Sequence, residues 1–136
     1  MKLTNAKFFV DSNILLYLTD DTSSKNLRAK ELISTNPLIS VQFIFECLNG
    51  CLKKLKFNKE TSVNFAKYLF KTCTVVGEKK DTGIFAIELF SRFSLQSYDA
   101  KIVATAIDAG CSILYSEDMQ NGLVIDERLT VVNPFL

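Results

Sequence analysis

Short apolar stretches alternate along the chain with longer segments in which apolar residues recur every three or four positions. AKFFV, residues 6–10, is apolar and β-prone, and the SNILLYL that follows starts a helix with Asp11 or Ser12 as its cap. In SSKNLRAKELIS, 23–34, Leu27, Ala29, Leu32 and Ile33 sit among charges at helical spacing, and Asn36-Pro37 ends that helix. Leu38 to Ser40 is a brief second strand. A helix over 41–56 follows, with Val41, Ile44, Phe45, Leu48, Leu52 and Leu55 as its apolar positions. Residues 59–71 form another helix, turned inward on Val63, Ala66, Leu69 and Phe70, and CTVV, 73–76, is a strand. Helices over 81–93 and 98–109 come next, the second closed by Gly110 in the left-handed capping position. SILY, 112–115, and LTVVN, 129–133, are the last strands.

Apolar strands that alternate with helices imply an α/β fold, a parallel sheet of four to five strands covered by helices on both faces. The 136 residues suit one domain spanning 1–136. In such a sheet, sites lie in the crevice outside the C-terminal strand ends. Asp11 directly follows the first strand, with Asn13 two residues on, and Ser116, Glu117 and Asp118 follow SILY. Asp99 precedes Ile102 and Val103 by three and four residues, so it heads the apolar stripe of its helix. Asp108 is a useful contrast: with Lys101 and Thr105 it falls on the polar face and needs no special role. Glu46 shares its helical face with Gln42, Asn49, Gly50 and Lys53, and periodicity alone does not select it.

Composition narrows the chemistry. Hydrophobic residues make up 48% and charged residues 23%, as in ordinary globular proteins. The apolar runs are far shorter than the roughly 20 residues that cross a bilayer, and MKLTNAK lacks the apolar core of a signal peptide, so the expected location is the cytoplasm. Cys47, Cys51, Cys73 and Cys111 form no CxxC pair and read as small core residues in a reducing compartment. The sequence contains no histidine, which removes Ser-His-Asp and Cys-His catalysis, HExxH zinc sites and histidine-based nucleases. A net charge of +1 gives no global attraction to nucleic acid, so any such binding must come from local patches. One candidate is KKLKFNK, 53–59, in which Lys53, Lys54 and Lys56 could grip a phosphate backbone; the ordinary alternative is a solvated helix end.

If Asp11, Asp99 and Asp118 converge with Glu46, each close pair at about 4 Å repels by roughly 4 kcal/mol at an effective dielectric near 20. A hard divalent cation relieves that repulsion, and oxygen-only ligands favour Mg²⁺ or Mn²⁺ over zinc. Such a cation acidifies water and stabilises charge on a phosphoryl oxygen, so a site without histidine can hydrolyse a phosphodiester. Each acid also has an ordinary reading: a helix cap for Asp11, a first-turn residue for Asp99, a polar turn for 116–118 and a solvated residue for Glu46.

Taken together, FFVDSNILLYL, ISVQFIFECLNG, SYDAKIVATAIDAGCSILYSEDMQNG and the terminal TVVNPF resemble the PIN-domain nucleases, in particular the VapC-type toxins of toxin–antitoxin pairs. The resemblance implies that Asp11 is the first metal-binding acid, with Asn13 orienting it or holding a water. It implies Glu46 as the second acid, Asp99 as the third, Asp118 as the fourth and Ser116 as the accompanying hydroxyl. The chain departs from many relatives after Asp118, where Met119, Gln120 and Asn121 stand in place of another acid, and this leaves one or two metals open. The family implies a Mg²⁺-dependent endoribonuclease, a homodimer and an antitoxin that blocks the site.

Three alternatives share parts of this pattern. One is a PIN-domain RNA-processing nuclease without a toxin role. The second is a binding module that keeps the fold without the catalysis. The third is a phosphoacceptor receiver-like module, which needs paired acids after the first strand and an aspartate after the third. Here Asp11 is single and CTVV ends in Gly77.

Overall fold

The computed structural model describes residues 7–136. Its sheet is built from β1 (Phe8–Val10), β2 (Leu38–Ser40), β3 (Thr74–Val76), β4 (Ile113–Tyr115), β5 (Val124–Ile125) and β6 (Leu129–Val132) in the order β3-β2-β1-β4-β6-β5. Every pairing is parallel except that of β5 with β6. Consecutive residues of a strand point to opposite faces, yet Phe9 and Val10 are both buried, as are Ile39 and Ser40, so the sheet centre is covered on both sides. The helices are α1 (Ser12–Leu16), α2 (Asn26–Ile33), α3 (Val41–Lys53), α4 (Lys59–Thr72), α5 (Lys80–Arg92) and α6 (Ser97–Asp108). Among the described residues, none of them is long and apolar enough to cross a membrane.

The strand count is six, not four to five. The additional strand, β5, has two residues, too few to show an alternating pattern. It is joined to β6 through Asp126 and Glu127, both at positive φ (50° and 55°), and Arg128 N–H closes the turn on the Ile125 carbonyl at 2.9 Å. That is the backbone of a tight hairpin turn, which normally declares itself through Asn-Gly or Asp-Gly. The Asp126 carboxylate is instead gripped by both terminal nitrogens of Arg92, at 2.7 and 2.9 Å, and this anchors the turn to the end of α5.

Other boundaries and faces differ from expectation. Ala6 lies outside the described residues, and β1 begins at Phe8. The helix expected over 41–56 stops at Lys53, with Lys56 at positive φ. Its buried face is Phe43, Ile44, Cys47, Gly50 and Cys51, whereas Phe45 is 55% exposed. Apolar residues surround most of this helix, so spacing alone could not say which face meets the sheet. In α4 only Leu69 of the expected stripe is fully buried, and Phe70 is exposed. Thr105, expected on the polar face of α6, is buried with its hydroxyl donated to the Lys101 carbonyl at 2.8 Å, while Asp108 is exposed as expected. Gly110 takes the left-handed conformation with φ +83°.

All four cysteines are buried and unpaired, and burial pushes the Cys73 thiol up to about 12 and that of Cys111 to about 11. They are core residues, not nucleophiles. Leu114, fully buried on β4 between β1 and β6, sits at the centre of this arrangement. Replacing it with alanine is expected to cost about 2–5 kcal/mol in urea unfolding, without abolishing the folded far-UV spectrum.

Candidate active site

The sheet order reverses direction between β1 and β4: the chain leaves β1 toward β2 on one side, and β4 lies on the other. This switch point opens a crevice beyond the strand ends. Phe8, Phe9 and Val10 pair with Ile113, Leu114 and Tyr115, so the next residues in register are Asp11 and Ser116. The ladder continues into both: Asp11 N–H donates to the Tyr115 carbonyl, and Ser116 N–H to the Val132 carbonyl, each at 3.0 Å. Asp11 is the N-cap of α1, but its carboxylate makes no cap hydrogen bond. It is turned into the crevice, where the buried Ser116 hydroxyl donates to Oδ2 at 3.1 Å.

From Asp11 the polar contacts spread to the other predicted residues. The Ser12 hydroxyl lies 3.3 Å from Asp11 Oδ1 and 2.9 Å from Glu46 Oε1. A hydroxyl has one proton, so it serves one carboxylate at a time, and the shorter contact favours Glu46. Gln42 donates to the other Glu46 oxygen at 2.8 Å. Asn13 does not orient Asp11. Its side-chain nitrogen donates to Asp118, on the far side of the crevice. Asp99, in the first turn of α6, lines one cleft together with Asp118. Ser12 carries no signal in the sequence as a partner of Glu46, because that contact joins α1 to α3, whereas Gln42 reaches Glu46 four residues along the same helical face.

The electrostatics follow from this crowding. Burial pushes the Asp11 carboxyl above the ordinary aspartate range; the Ser116 and Ser12 hydrogen bonds oppose that rise and the charge of Asp118 adds to it. Asp99 is likewise raised, first by burial and then by Asp118. Among the described residues, none of the four acids pairs with a lysine or arginine. The donors are carboxylate, hydroxyl and amide oxygens, a set that fits a hard divalent cation. As they stand, no three acidic side chains among the described residues are close enough to hold one ion.

Two clefts flank the acids. One, of about 330 Å³, is lined by Asn13, Glu46, Asn49, Lys53 and Lys54 among others, so two of the three predicted lysines adjoin the site. Lys56 is not part of that lining. The other cleft, of about 240 Å³, holds Asp99 and Asp118 at its edge.

Glu117, between Ser116 and Asp118, turns away from the site. Lys25 forms an ion pair with it, and the Tyr17 hydroxyl donates to it at 2.7 Å. Burial would raise its carboxyl, but the Lys25 and Tyr17 hydrogen bonds overcome this and hold it below the usual range. Lys25 also lies over the Tyr17 and Phe135 rings, at 5.2 and 5.1 Å from their centroids. This cluster fixes the loop that carries Ser116 and Asp118, and nothing in the local sequence pairs residues so far apart. Lys25→Met is expected to speed amide hydrogen exchange at residues 116–118 and lower the urea midpoint, with Lys25→Arg restoring most of both. Unchanged exchange in Lys25→Met would show that the pair does not hold the loop.

The fold has counterparts among known proteins. A toxin–antitoxin complex from Klebsiella pneumoniae aligns over 95% of this chain and 98% of its own, with 23% identity and a TM-score of 0.69. VapC20 of Mycobacterium tuberculosis, a toxin that cleaves the sarcin–ricin loop, aligns over 82% of this chain and 90% of its own at 20% identity and a TM-score of 0.67. DNA-bound VapBC from Salmonella typhimurium aligns over 93% and 96% at 15% identity and a TM-score of 0.69. No curated protein matches the chain by sequence. The family model for the PIN domain matches residues 8–120, most of the chain, and the protein belongs to the PIN domain family.

Proposed function

We propose that this protein is a divalent-metal-dependent endoribonuclease and the toxin of a toxin–antitoxin pair. The observation that carries the reading is the set of acids with no cationic partner among the described residues, Asp11, Asp99 and Asp118, around the switch point of a PIN domain. Asp11, Asp99 and Asp118 would hold Mg²⁺ or Mn²⁺. When bound, the ion supplies positive charge for a phosphoryl oxygen and lowers the pKa of water. Ser116 holds Asp11 in place, and Asn13 does the same for Asp118. Glu46, held at the solvent-exposed rim by Ser12 and Gln42, would accept a proton from water as it adds to phosphorus. One P–O ester bond breaks, and the departing oxygen takes up a proton.

Lys53 and Lys54 would bind the phosphate backbone beside the acids. The structural likeness to toxin–antitoxin complexes supports an antitoxin as partner. A homodimer is supported by the apolar row Ile84, Ile87 and Phe90 on α5, which are 58%, 66% and 46% exposed and which a second copy would cover. We further read 1–136 as one domain, and the unpaired thiols as suited to a reducing cytoplasm. A receiver-like reading lacks its acceptor, since β3 ends at Val76 and Gly77 follows it.

Asp11→Asn and Asp99→Asn are each expected to lower RNA cleavage in Mg²⁺ by more than about 100-fold, beyond what disturbing the surroundings of a metal site produces, and EDTA should abolish it. Wild-type rates in either variant would overturn the mechanism. Expression should arrest growth, and Asp99→Asn should relieve the arrest; cleavage without arrest would favour the RNA-processing reading.

Lys53→Gln combined with Lys54→Gln is expected to weaken single-stranded RNA binding with little regard to sequence. The slope of log K against log salt should become shallower by about 0.7 per lysine removed. An unchanged slope, read by fluorescence anisotropy, would exclude this groove as the backbone track.

A further inference from the structure

The two clefts beside the acids differ in kind. The cleft along α3 contains both lysines. The other lies between the α5–α6 connection and the loop leading from β4 to β5, and its lining is Phe93, Leu95 and Leu123 with the amides of Gln96 and Gln120, edged by Asp99 and Asp118. It contains no lysine or arginine, and its acidic edge would repel a phosphate. We propose that this cleft receives one unpaired nucleobase next to the scissile phosphate, and so contributes the base preference of the enzyme.

Several features support a base as the occupant. The volume, about 240 Å³, falls below the roughly 300–1,000 Å³ of pockets for drug-sized ligands and suits a single planar group. A free carboxamide presents both a donor and an acceptor, which is what the edge of a base requires. The exposed Gln96 and Gln120 side chains have no protein hydrogen-bond partner among the described residues, and Gln96 occupies the N-cap of α6 without capping it. Phe93, over whose ring the Arg92 guanidinium lies at 5.2 Å from the centroid, is the aromatic of the lining against which a base plane would rest. Its neighbour Arg92 is committed to Asp126, which braces this wall against the β5–β6 turn. Asp118 edges this cleft and accepts from Asn13, which lines the other, so the two clefts meet at the acids. A single strand would thus lie with its backbone on the lysines and a base on the amides. A larger cleft of about 440 Å³, lined by Lys79, Thr82, Thr105 and Asp108, adjoins none of these acids.

The position of the cleft in the reaction rests on the nuclease reading, but its occupancy can be tested apart from cleavage. The full chain, ¹⁵N-labelled and in Mg²⁺, would be titrated with the four ribonucleoside 5′-monophosphates and with ribose 5-phosphate, observing the Gln96 and Gln120 side-chain amides. At least one nucleotide should shift them saturably while ribose 5-phosphate does not. Gln96→Ala or Gln120→Ala should weaken the preferred nucleotide roughly tenfold or change the ranking of bases. Equal shifts with ribose 5-phosphate, no shift with any nucleotide, or shifts with N-acetylarginine amide alone would overturn the proposal, the last by assigning the cleft to a basic peptide side chain. Base-dependent shifts in a protein that cleaves no RNA would keep the pocket and discard the nuclease reading. RNA cleavage without such shifts would do the reverse.

Discussion

The site depends on one constraint, the parallel pairing of β1 with β4. Because Val10 is in register with Tyr115, the residues that follow, Asp11 and Ser116, leave the sheet side by side. Their backbone N–H groups are still held by the ladder, so neither can drift. A slip of one residue would turn Asp11 to the other face of the sheet and separate its carboxylate from the Ser116 hydroxyl. The burial of Phe9, Val10 and Leu114 therefore does more than stabilise the fold. It keeps a costly carboxylate at a crevice where its neighbours are also acids.

That placement answers why a buried strand ends on an aspartate. A helix cap would explain the residue type equally well, and Asp11 does stand at the N-cap of α1. Its side chain, however, accepts no cap hydrogen bond from the helix, and α1 is a single short turn and a fraction that hardly needs one. The carboxylate is instead desolvated and shares the crevice with Asp118, an arrangement that leaves it less stable as an anion. Destabilisation of this kind, offset only in part by the Ser116 and Ser12 hydrogen bonds, recurs at functional sites.

Much of this was legible in the sequence, for identifiable reasons. Strand and helix alternation gave the α/β class, because the two periods differ strongly and most segments were long enough to show one or the other. Asp11 and Ser116 could be placed at strand ends since topology assigns sites there. Glu46 could not be chosen by pattern, and the structure shows why: it is exposed at a rim, like any solvated residue, and only the Ser12 hydroxyl ties it to Asp11. The inward faces of α3 and α4 were misassigned at Phe45 and Phe70, because both helices carry apolar residues on more than one side. The β5 strand is not legible because its turn uses Asp126-Glu127 at positive φ in place of glycine, with Asp126 anchored by Arg92 from a distant helix.

Adjacent residues Glu117 and Asp118 show how the fold separates structural from functional charge. Both follow the same strand, and both are carboxylates in a loop. Glu117 is folded back onto Lys25 and Tyr17, so its charge is compensated and its effect is to tie the loop to the region around α2 and Phe135. Asp118 has only an amide, that of Asn13, and raises the carboxyl pKa of both Asp11 and Asp99. Similar compensation occurs away from the crevice, where Asp126 has Arg92 and Glu78 has Lys101. The acids of the crevice are thus set apart by what is missing around them, while the nearest cations are either spent on structural pairs or lie along α3 at Lys53 and Lys54. Among the described residues, a cation brought from outside would meet no competing lysine between the acids, and a polyanion arriving with it would find its positive surface along α3.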